Sequence, residues 1–335
     1  MAKPDPINPK VLEWLFEEEN PGVRYLARRD LTSSTLLEMT ALQEKAHQEG
    51  PIAVILSNMQ PEGFWVKPGG GYSPKYTGTV WSLILLSQLG ADCQADERIN
   101  KACAYYLDHA QAVGGQFTYN GSPGKTFDCL QGNMCAALLG LGCTDPRLDK
   151  AFEWMARTVT GEGIAPLAEK SASLRYNTYK CGPFFACGAN DKLPCAWGAV
   201  KVMLAFSKLP PAKRTPLVNQ AIQAGVDFLF SRNPAQADYP TYNASKPSGD
   251  WWKFGFPVFY ITDILQIAEA LVVLRYGNDP RLGDTLKLIR DKRDEEGRWN
   301  LEFSYTGKTW LAFGRKHHPN KWVTLRALRV LAAVE

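Results

Sequence analysis

The chain has 335 residues and a formal net charge of +4, and its 45% hydrophobic and 21% charged residues are typical of a globular protein with a sizeable core. The charge is spread along the sequence without a long run of one sign, so nucleic acid is not expected as a partner. The N-terminal MAKPDPINPK lacks the apolar region of a signal peptide, and the longest apolar stretch, 79–91, is too short to span a bilayer. Eight cysteines without a secretion signal favour reduced thiols, so we expect a cytoplasmic protein without a transmembrane segment.

The predicted elements begin with amphipathic helices at 9–19 and 22–31, followed by one or two more between 33 and 59. Strongly apolar helices are then predicted at 78–90, 130–141, 195–208, 258–276 and 322–334. Amphipathic helices with more charge are predicted at 96–112, 146–160, 214–231 and 279–292. The two kinds alternate, and short links such as GNDPRLG and GCTDPRL join an apolar helix to the next amphipathic one.

A degenerate repeat ends five of these helical segments. In one copy Gln111 is followed after three residues by Gly115 and then, after one more, by Phe117. Comparable spacings end at Trp65, Ala165, Tyr239 and Trp299, the first of them one residue short. Each copy is typical of a helix C-terminus with a glycine-assisted exit, after which a ring packs back on the helix end.

The alternation predicts an α6/α6 toroid, an all-α single domain over 1–335 with a Cys-rich insertion loop at about 166–194. Inner helices would line a central cavity and outer helices would form the shell. The first outer helix has no partner until the last inner helix, 322–334, arrives and closes the ring. An open α-solenoid is the alternative, and it fits less well because the N-terminal helix starts half a repeat early.

The Gln-x3-Gly-x-Trp type of repeat on alternating helices resembles the squalene-hopene cyclase and prenyltransferase superfamily from about residue 10 onward. The resemblance implies the toroid and a hydrophobic, isoprenoid-type ligand within it. The sequence lacks the Asp-x-Asp-Asp motif of class II terpene cyclases and the Asp-Asp-x-x-Asp cluster of class I cyclases. At the comparable start of an inner helix it has only Asp263. Asp128 directly precedes Cys129, which differs from the Asp-x-Cys of zinc-binding protein prenyltransferases.

The long links from outer to inner helices, which should meet at one mouth of the toroid, hold 22 of the 38 aromatic residues. Loops are usually polar surface, so this enrichment suits an apolar ligand and a cation that ring faces stabilise. Alternatively, these loops pack on one another as a plug. The aromatic candidates for substrate binding are Trp65, Tyr76, Phe127, Tyr179, Phe184, Phe185, Trp251, Trp252, Phe256 and Trp310.

Few ionisable groups are expected at the same end. Asp263, after Tyr260 on an inner helix, is predicted to point into the cavity, where burial would keep it protonated as a general acid. A helix cap or a core hydrogen bond is its alternative role. Asp128 is a second candidate acid, or the N-cap of the helix that follows it. His317 and His318, in a basic cluster, would bind a phosphate or carboxylate, or are simply solvated.

Cysteine chemistry is a further possibility in KCGPFFACGANDKLPCAWG, residues 180–198. Cys195 opens an inner helix, whose positive N-terminus would activate its thiol. Together with Cys187 it locally resembles linalool dehydratase-isomerase, another α/α barrel with two cysteines around a loop before an inner helix. Cys129, Cys181, Cys187 and Cys195 also allow a zinc site, although they lack the Cys-x2-Cys spacing, and no other cofactor is expected.

Three functions follow from these patterns. The first is a terpene cyclase/prenyltransferase-like lyase or isomerase that acts on an isoprenoid-type molecule by acid-initiated cyclisation, isomerisation or (de)hydration, with Tyr260 beside the acid. The second is a cysteine-dependent (de)hydratase or isomerase. The third is a toroid without catalytic activity that binds a hydrophobic ligand or partner. The sequence leaves a homo-oligomer open.

Overall fold

The computed structural model describes residues 7–164 and 180–334, which form thirteen α-helices joined by turns and short 3-10 segments, without a β-strand in that part of the chain. The expected all-helical class is confirmed. None of the described helices is both long and apolar enough to serve as a membrane-spanning segment. The helices are α1 (Pro9–Leu15), α2 (Pro21–Leu31), α3 (Leu36–Gln48), α4 (Gly50–Ser57), α5 (Thr79–Leu89), α6 (Glu97–Ala110), α7 (Asp128–Gly140), α8 (Arg147–Thr160), α9 (Ala196–Lys208), α10 (Pro216–Leu229), α11 (Ile264–Leu271), α12 (Gly283–Asp291) and α13 (Lys321–Ala332).

Local chemistry explains where several helices begin and end. Thr35 and Glu38 form a reciprocal capping box at the start of α3, and the Asp96 carboxylate accepts a hydrogen bond from the backbone at the start of α6. Gly90 and Gly161 follow α5 and α8 with φ of 84° and 78°, the left-handed conformation that ends a helix. These are the polar and glycine positions that bound the apolar patterns in the sequence.

Six helices form an unbroken series of neighbours. In chain order α5 packs on α7, α7 on α9, α9 on α11 and α11 on α13, and α2 contacts both α13 and α5. Each of four amphipathic helices packs on the member of this series that precedes it in the chain: α6 on α5, α8 on α7, α10 on α9 and α12 on α11. We call α2, α5, α7, α9, α11 and α13 the cavity-lining helices, because all six contribute side chains to one internal cavity.

Three of the five predicted repeat copies contain the same turn. Its glycines, Gly63, Gly115 and Gly297, have φ of 104°, 97° and 89°, a conformation that favours glycine. Each turn is closed by the same kind of backbone hydrogen bond, from Gln60 N to Phe64 O, from Ala112 N to Gln116 O and from Asp294 N to Arg298 O, all at 2.8 Å.

The ring that follows each turn is buried against the helix that precedes it. The Trp65 indole donates to the carbonyl of Ile55, and the Trp299 indole donates to that of Ile289, each at 2.7 Å. Phe117 occupies the corresponding place and is also fully buried. The backbone N–H of each ring residue donates to a side chain of the next cavity-lining helix: Thr79, Gln131 and Thr324 accept from Trp65, Phe117 and Trp299.

The glycines of these turns let each turn touch a neighbouring amphipathic helix. A Cβ at Gly63 would lie 2.9 Å from the Lys101 carbonyl of α6, and one at Gly115 would lie 2.5 Å from the Lys150 carbonyl of α8. The last turn packs on the first helix, because a Cβ at Gly297 would lie 3.1 Å from a methyl group of Val11.

The predicted helix 258–276 is wrong in its first turns, because α11 begins at Ile264. Residues 256–262, which we call the crossing segment, are not helical, and Asp263 caps the helix after them. Their backbone polar groups bond to side chains of the cavity-lining helices, so they need no helical hydrogen bonds. The bonds are Gln88 Nε2 to Val258 O (2.5 Å), Val258 N to Gln88 Oε1 (2.9 Å), Asn133 Nδ2 to Phe259 O (3.3 Å), and Lys201 Nζ and Gln266 Nε2 to Ile261 O (both 3.4 Å).

Replacing Gly115 by alanine should destabilise the protein through close contact with α8. We expect Gly115→Ala to lower the free energy of unfolding by roughly 2–4 kcal/mol, because strain at positive φ adds to a collision with the Lys150 carbonyl. Gly121 is the matched control, since its φ is 84° and no atom lies within 4 Å of its Cβ position among the described residues. Gly121→Ala should cost only about 1 kcal/mol in urea unfolding. Equal losses in the two variants would contradict the close approach.

Candidate functional site

The crossing segment separates two cavities. The mouth cleft, of about 520 Å³, is lined by Tyr72, Ser73, Lys75, Tyr119, Phe127, Asp128, Cys129, Lys180, Cys187, Ala189, Cys195, Trp197, Gly198 and Tyr260. The central cavity, of about 290 Å³, lies among the six cavity-lining helices. Tyr260 lines the first and Val258 lines the second, so the two spaces meet at the crossing segment.

The mouth cleft is built at the N-terminal ends of α7 and α9. Asp128 and Cys129 are the first two residues of α7, and Cys195 is the N-cap of α9. The helices pack closely here, because a Cβ at Gly198 would lie 2.9 Å from Cβ of Asp128. Further parts of the wall come from the segment that precedes α9, with Lys180, Cys187 and Ala189, and from Tyr260 of the crossing segment.

Asp128 is a buried carboxyl group at the edge of this cleft. It does not cap α7, as the sequence allowed, because Phe127 holds the N-cap position and no side-chain capping bond forms in the described residues. The pKa of Asp128 is raised to about 8, mainly by burial and in part by the nearby Cys187, while a hydrogen bond from Cys181 opposes the shift. Within the part of the chain that the structure describes, its Oδ2 has no hydrogen-bond partner. The group is therefore protonated at neutral pH.

Aromatic rings surround the space next to Asp128. The Tyr72 ring meets Phe127 edge-on at 5.6 Å between centroids, and it lies 5.8 Å from Tyr119. Burial raises the pKa of Tyr72, so its ring stays neutral. The Lys75 ammonium lies 5.2 Å from the Tyr72 centroid and 4.5 Å from the Tyr260 centroid. These rings therefore already hold a positive charge over their faces.

The pKa values of Cys187 and Cys195 are raised, which argues against the expected activation of the Cys195 thiol. Hydrogen bonding with Cys129 and burial raise the pKa of Cys195 to about 12, and the bond from Cys187 and the helix backbone lower it less. The pKa of Cys187 is also raised, first by its hydrogen bond with Cys195 and then by burial. The contact between thiols outweighs the field of the helix N-terminus.

The zinc alternative finds no support in this geometry. Among residues 7–164 and 180–334, no group of three or more histidine, cysteine or acidic side chains could hold a metal ion. Cys181 contacts Asp128, whereas Cys129 and Cys187 each contact Cys195. The four predicted ligands do not converge on one point.

Asp263 is not the free acid that the sequence predicted. It is the N-cap of α11, where it accepts from the backbone N–H of Gln266 at 2.8 Å. Both of its oxygens also pair with Arg326, at 3.0 and 3.1 Å, and the pair is buried. The capping alternative is thus the observed one, and the ion pair gives it a second structural role because a buried carboxylate needs a partner.

The aromatic candidates are divided between the cleft and the core. Phe127 lines the mouth cleft, and Tyr76 lies behind it, with its hydroxyl 3.3 Å from that of Tyr260. The ring centroid of Trp251 lies 6.4 Å from that of Trp197, which lines the cleft. Phe256 lines the central cavity instead.

The other candidates are structural or exposed. Trp65 ends a repeat turn in the core, Phe185 packs on Phe228, Trp252 donates to the Ala235 carbonyl, and Trp310 donates to Ser82. Phe184 is exposed on the surface. Tyr179 lies outside the described residues.

The two histidines line neither cavity. His317 and His318 are exposed, and hydrogen bonds between their backbone groups and the backbone of Leu301 hold them in position. The sequence missed Lys75, Lys180 and Trp197 as cleft residues. It also missed the buried Lys201, although a single lysine inside the apolar run AWGAVKVMLAF was a visible signal.

The raised pKa of Asp128 predicts how stability depends on pH. The folded protein keeps the proton up to about pH 8, whereas the unfolded chain releases it near the ordinary value of 3.8. Stability should therefore fall as pH rises from about 4 to 8. Asp128→Asn should remove this loss and raise the free energy of unfolding at pH 7 by on the order of 2–4 kcal/mol. Urea unfolding at pH 4 and pH 7 measures both, and a variant that is destabilised more at pH 7 than at pH 4 would refute the buried acid.

Comparisons with known proteins identify no family. No protein-family model matches the sequence, and a search of curated proteins gave no match. Among solved structures, the chain is similar to a family 10 polysaccharide lyase from Cellvibrio cellulosa, solved as a mutant in complex with trigalaturonic acid. The two share 13% sequence identity at a TM-score of 0.33, over 68% of this chain and 80% of that chain. A likeness this weak carries no argument about fold or function.

Proposed function

We propose that the chain is an α6/α6 toroid of the terpene cyclase and prenyltransferase type. The neighbour contacts that run from α2 through α13 and back to α2 support closure of an inner ring. The last repeat turn, which packs on α1, supports closure of the outer ring. The common turn geometry at Gly63, Gly115 and Gly297 supports the repeat that motivates the resemblance.

The activity we propose is acid-initiated (de)hydration or isomerisation of a short isoprenoid-type alcohol or alkene in the mouth cleft. The observation that carries it is Asp128, a carboxylic acid that is protonated at neutral pH beside neutral aromatic rings. A general acid is most effective when its pKa lies near the working pH. The cleft volume of about 520 Å³ lies within the range of roughly 300–1,000 Å³ that small-molecule sites occupy.

In the dehydration direction, the Asp128 carboxyl group donates its proton to the hydroxyl oxygen of a tertiary allylic alcohol. The C–O bond breaks, its electron pair leaves with water, and an allylic cation remains. The Asp128 carboxylate then takes a proton from the carbon next to the cation, which forms the new double bond and restores the acid. Hydration is the reverse sequence, and isomerisation returns water to another carbon of the cation.

The rings of Tyr72 and Tyr260 would stabilise the cation, as they stabilise the Lys75 ammonium in the free protein. Lys75 is exposed, so its long side chain can swing to solvent when the substrate takes its place. Tyr72 and Trp197 would exclude water from the cation except for the molecule that leaves.

The acid in this proposal is Asp128, because the Asp263 carboxylate is paired with Arg326. A cysteine-dependent reaction is the alternative, since Cys187 and Cys195 line the same cleft. Their raised pKa values leave little thiolate at neutral pH, which favours acid catalysis over nucleophilic catalysis.

The decisive experiment is turnover of a ten-carbon tertiary allylic alcohol, such as linalool, followed by gas chromatography and mass spectrometry. Asp128→Asn should lower the rate by roughly 10²–10⁴-fold, because the amide cannot donate the proton. The wild-type rate should fall above about pH 8 as Asp128 ionises. Asp149→Asn, at an exposed position on α8, is the matched control and should keep the wild-type rate.

Other results would redirect the proposal. Full activity of Asp128→Asn together with inactive Cys187→Ala or Cys195→Ala would show the cysteine-dependent reaction. Binding of the alcohol without turnover, or of the alkene without hydration, would show a ligand-binding protein.

A further inference from the structure

The central cavity takes no part in the reaction proposed for the mouth cleft, and its wall is of mixed character. Ile84, Leu204 and Val258 form an apolar part beside the polar side chains that bond to the crossing segment. At the C-terminal ends of the helices it is basic, with Arg29 of α2, Lys208 of α9 and Arg329 of α13. An amphiphilic space of this kind fits a ligand with one charged end.

Positive charge exceeds negative charge at the basic end. Arg29 and Arg329 share one carboxylate, that of Asp30, which accepts from Arg29 Nε at 2.6 Å. Glu269 pairs with Arg326, and its charge also attracts Lys208 and Arg329. Lys208 forms no ion pair with a carboxylate among the described residues. With Arg326 balanced by Asp263, the three cations Arg29, Arg329 and Lys208 face the two carboxylates of Asp30 and Glu269, which leaves an excess of one positive charge.

The helix C-termini explain only part of this cluster. Their partial negative charge favours a cation in the last turn, with an effect confined to that turn. Lys208 is an exposed residue that also lines the cavity. Desolvation of its ammonium group and repulsion from Arg329 and Arg29 lower its pKa, whereas the carboxylates of Glu269 and Asp30 oppose the shift.

The basic groups also have unused hydrogen-bonding capacity. Arg329 Nε is buried and donates to no acceptor within the described residues. Lys208 keeps accessible surface on the cavity wall. A Cβ at Gly140 would lie 2.4 Å from Ser87 Oγ and 2.9 Å from Lys208 Nζ, so this glycine leaves the space that both polar groups occupy.

We propose that the central cavity binds an organic carboxylate with a short aliphatic body. The carboxylate would lie among Lys208, Arg329 and Arg29, where it supplies the missing negative charge and accepts their hydrogen bonds. The body would extend between Ile84 and Leu204 toward Val258. A single negative charge matches the excess on this wall, and the volume of about 290 Å³ limits the ligand to a short chain. This inference is independent of the reaction in the mouth cleft.

Calorimetric titration of the full chain with octanoate tests the site, with octan-1-ol and octylammonium as uncharged and cationic comparisons. We expect one octanoate per chain, weaker binding of octanol and none of octylammonium. Lys208→Gln should weaken octanoate binding at least tenfold, and Lys208→Arg should restore most of it. Lys287→Gln is the matched control, because Lys287 is an exposed helical lysine of α12 that pairs with Asp291.

The outcomes separate this site from the mouth cleft. Asp128→Asn should leave octanoate affinity unchanged, so a failure of the proposed reaction would not affect this result. Octanol binding as tight as octanoate, no octanoate binding at millimolar concentration, or equal effects of Lys208→Gln and Lys287→Gln would each overturn the proposal. Circular dichroism confirms that each variant is folded before its affinity is compared.

Discussion

The crossing segment is the constraint on which both cavities depend. A nonhelical backbone segment inside a helical protein leaves polar groups that must find partners, since each unpaired buried group costs about 1–3 kcal/mol. Here Gln88, Asn133, Lys201 and Gln266, one from each of four successive cavity-lining helices, provide them. The segment thereby becomes a partition, with an aromatic cleft on one side and a partly basic cavity on the other.

Buried charges have different roles on the two sides of this partition. Arg326 donates to Asp263, Glu269 and the Gly255 carbonyl, so it connects α13 to α11 and to the start of the crossing segment. Removing one member of such a pair leaves an unpaired buried charge, which destabilises the protein far more than replacing the whole pair by apolar residues. Asp128 forms no ion pair within the described residues, and burial raises its pKa. Two carboxyl groups at comparable helix starts thus differ because Asp263 pairs with Arg326 and Asp128 is held in an uncharged environment.

Much of the helical framework could be predicted from sequence, because apolar periodicity and capping residues act locally. The predicted helices 78–90 and 195–208 correspond to Thr79–Leu89 and Ala196–Lys208. The helix predicted over the run VFYITD was wrong because an apolar run of this kind fits a buried helix and a buried nonhelical segment equally well, and distant polar side chains decide between them. The site was harder still. Whether Asp128 or Asp263 is the free acid depends on Arg326, which lies 63 residues from Asp263 in the sequence.

The packing of the last repeat turn on α1 has a consequence for how the chain folds. Asn8 also reaches the Glu296 carbonyl, and Lys321 pairs with Glu17, so the first helix finds its partners almost 300 residues later. During synthesis part of the surface of α1 stays uncovered until the residues near 297 and 321 have been made. Contacts of such long sequence separation slow folding and lengthen exposure to aggregation or chaperones. The central cavity depends on the same late step, because α2 and α13 both line it, whereas the mouth cleft is lined only by residues between 72 and 260.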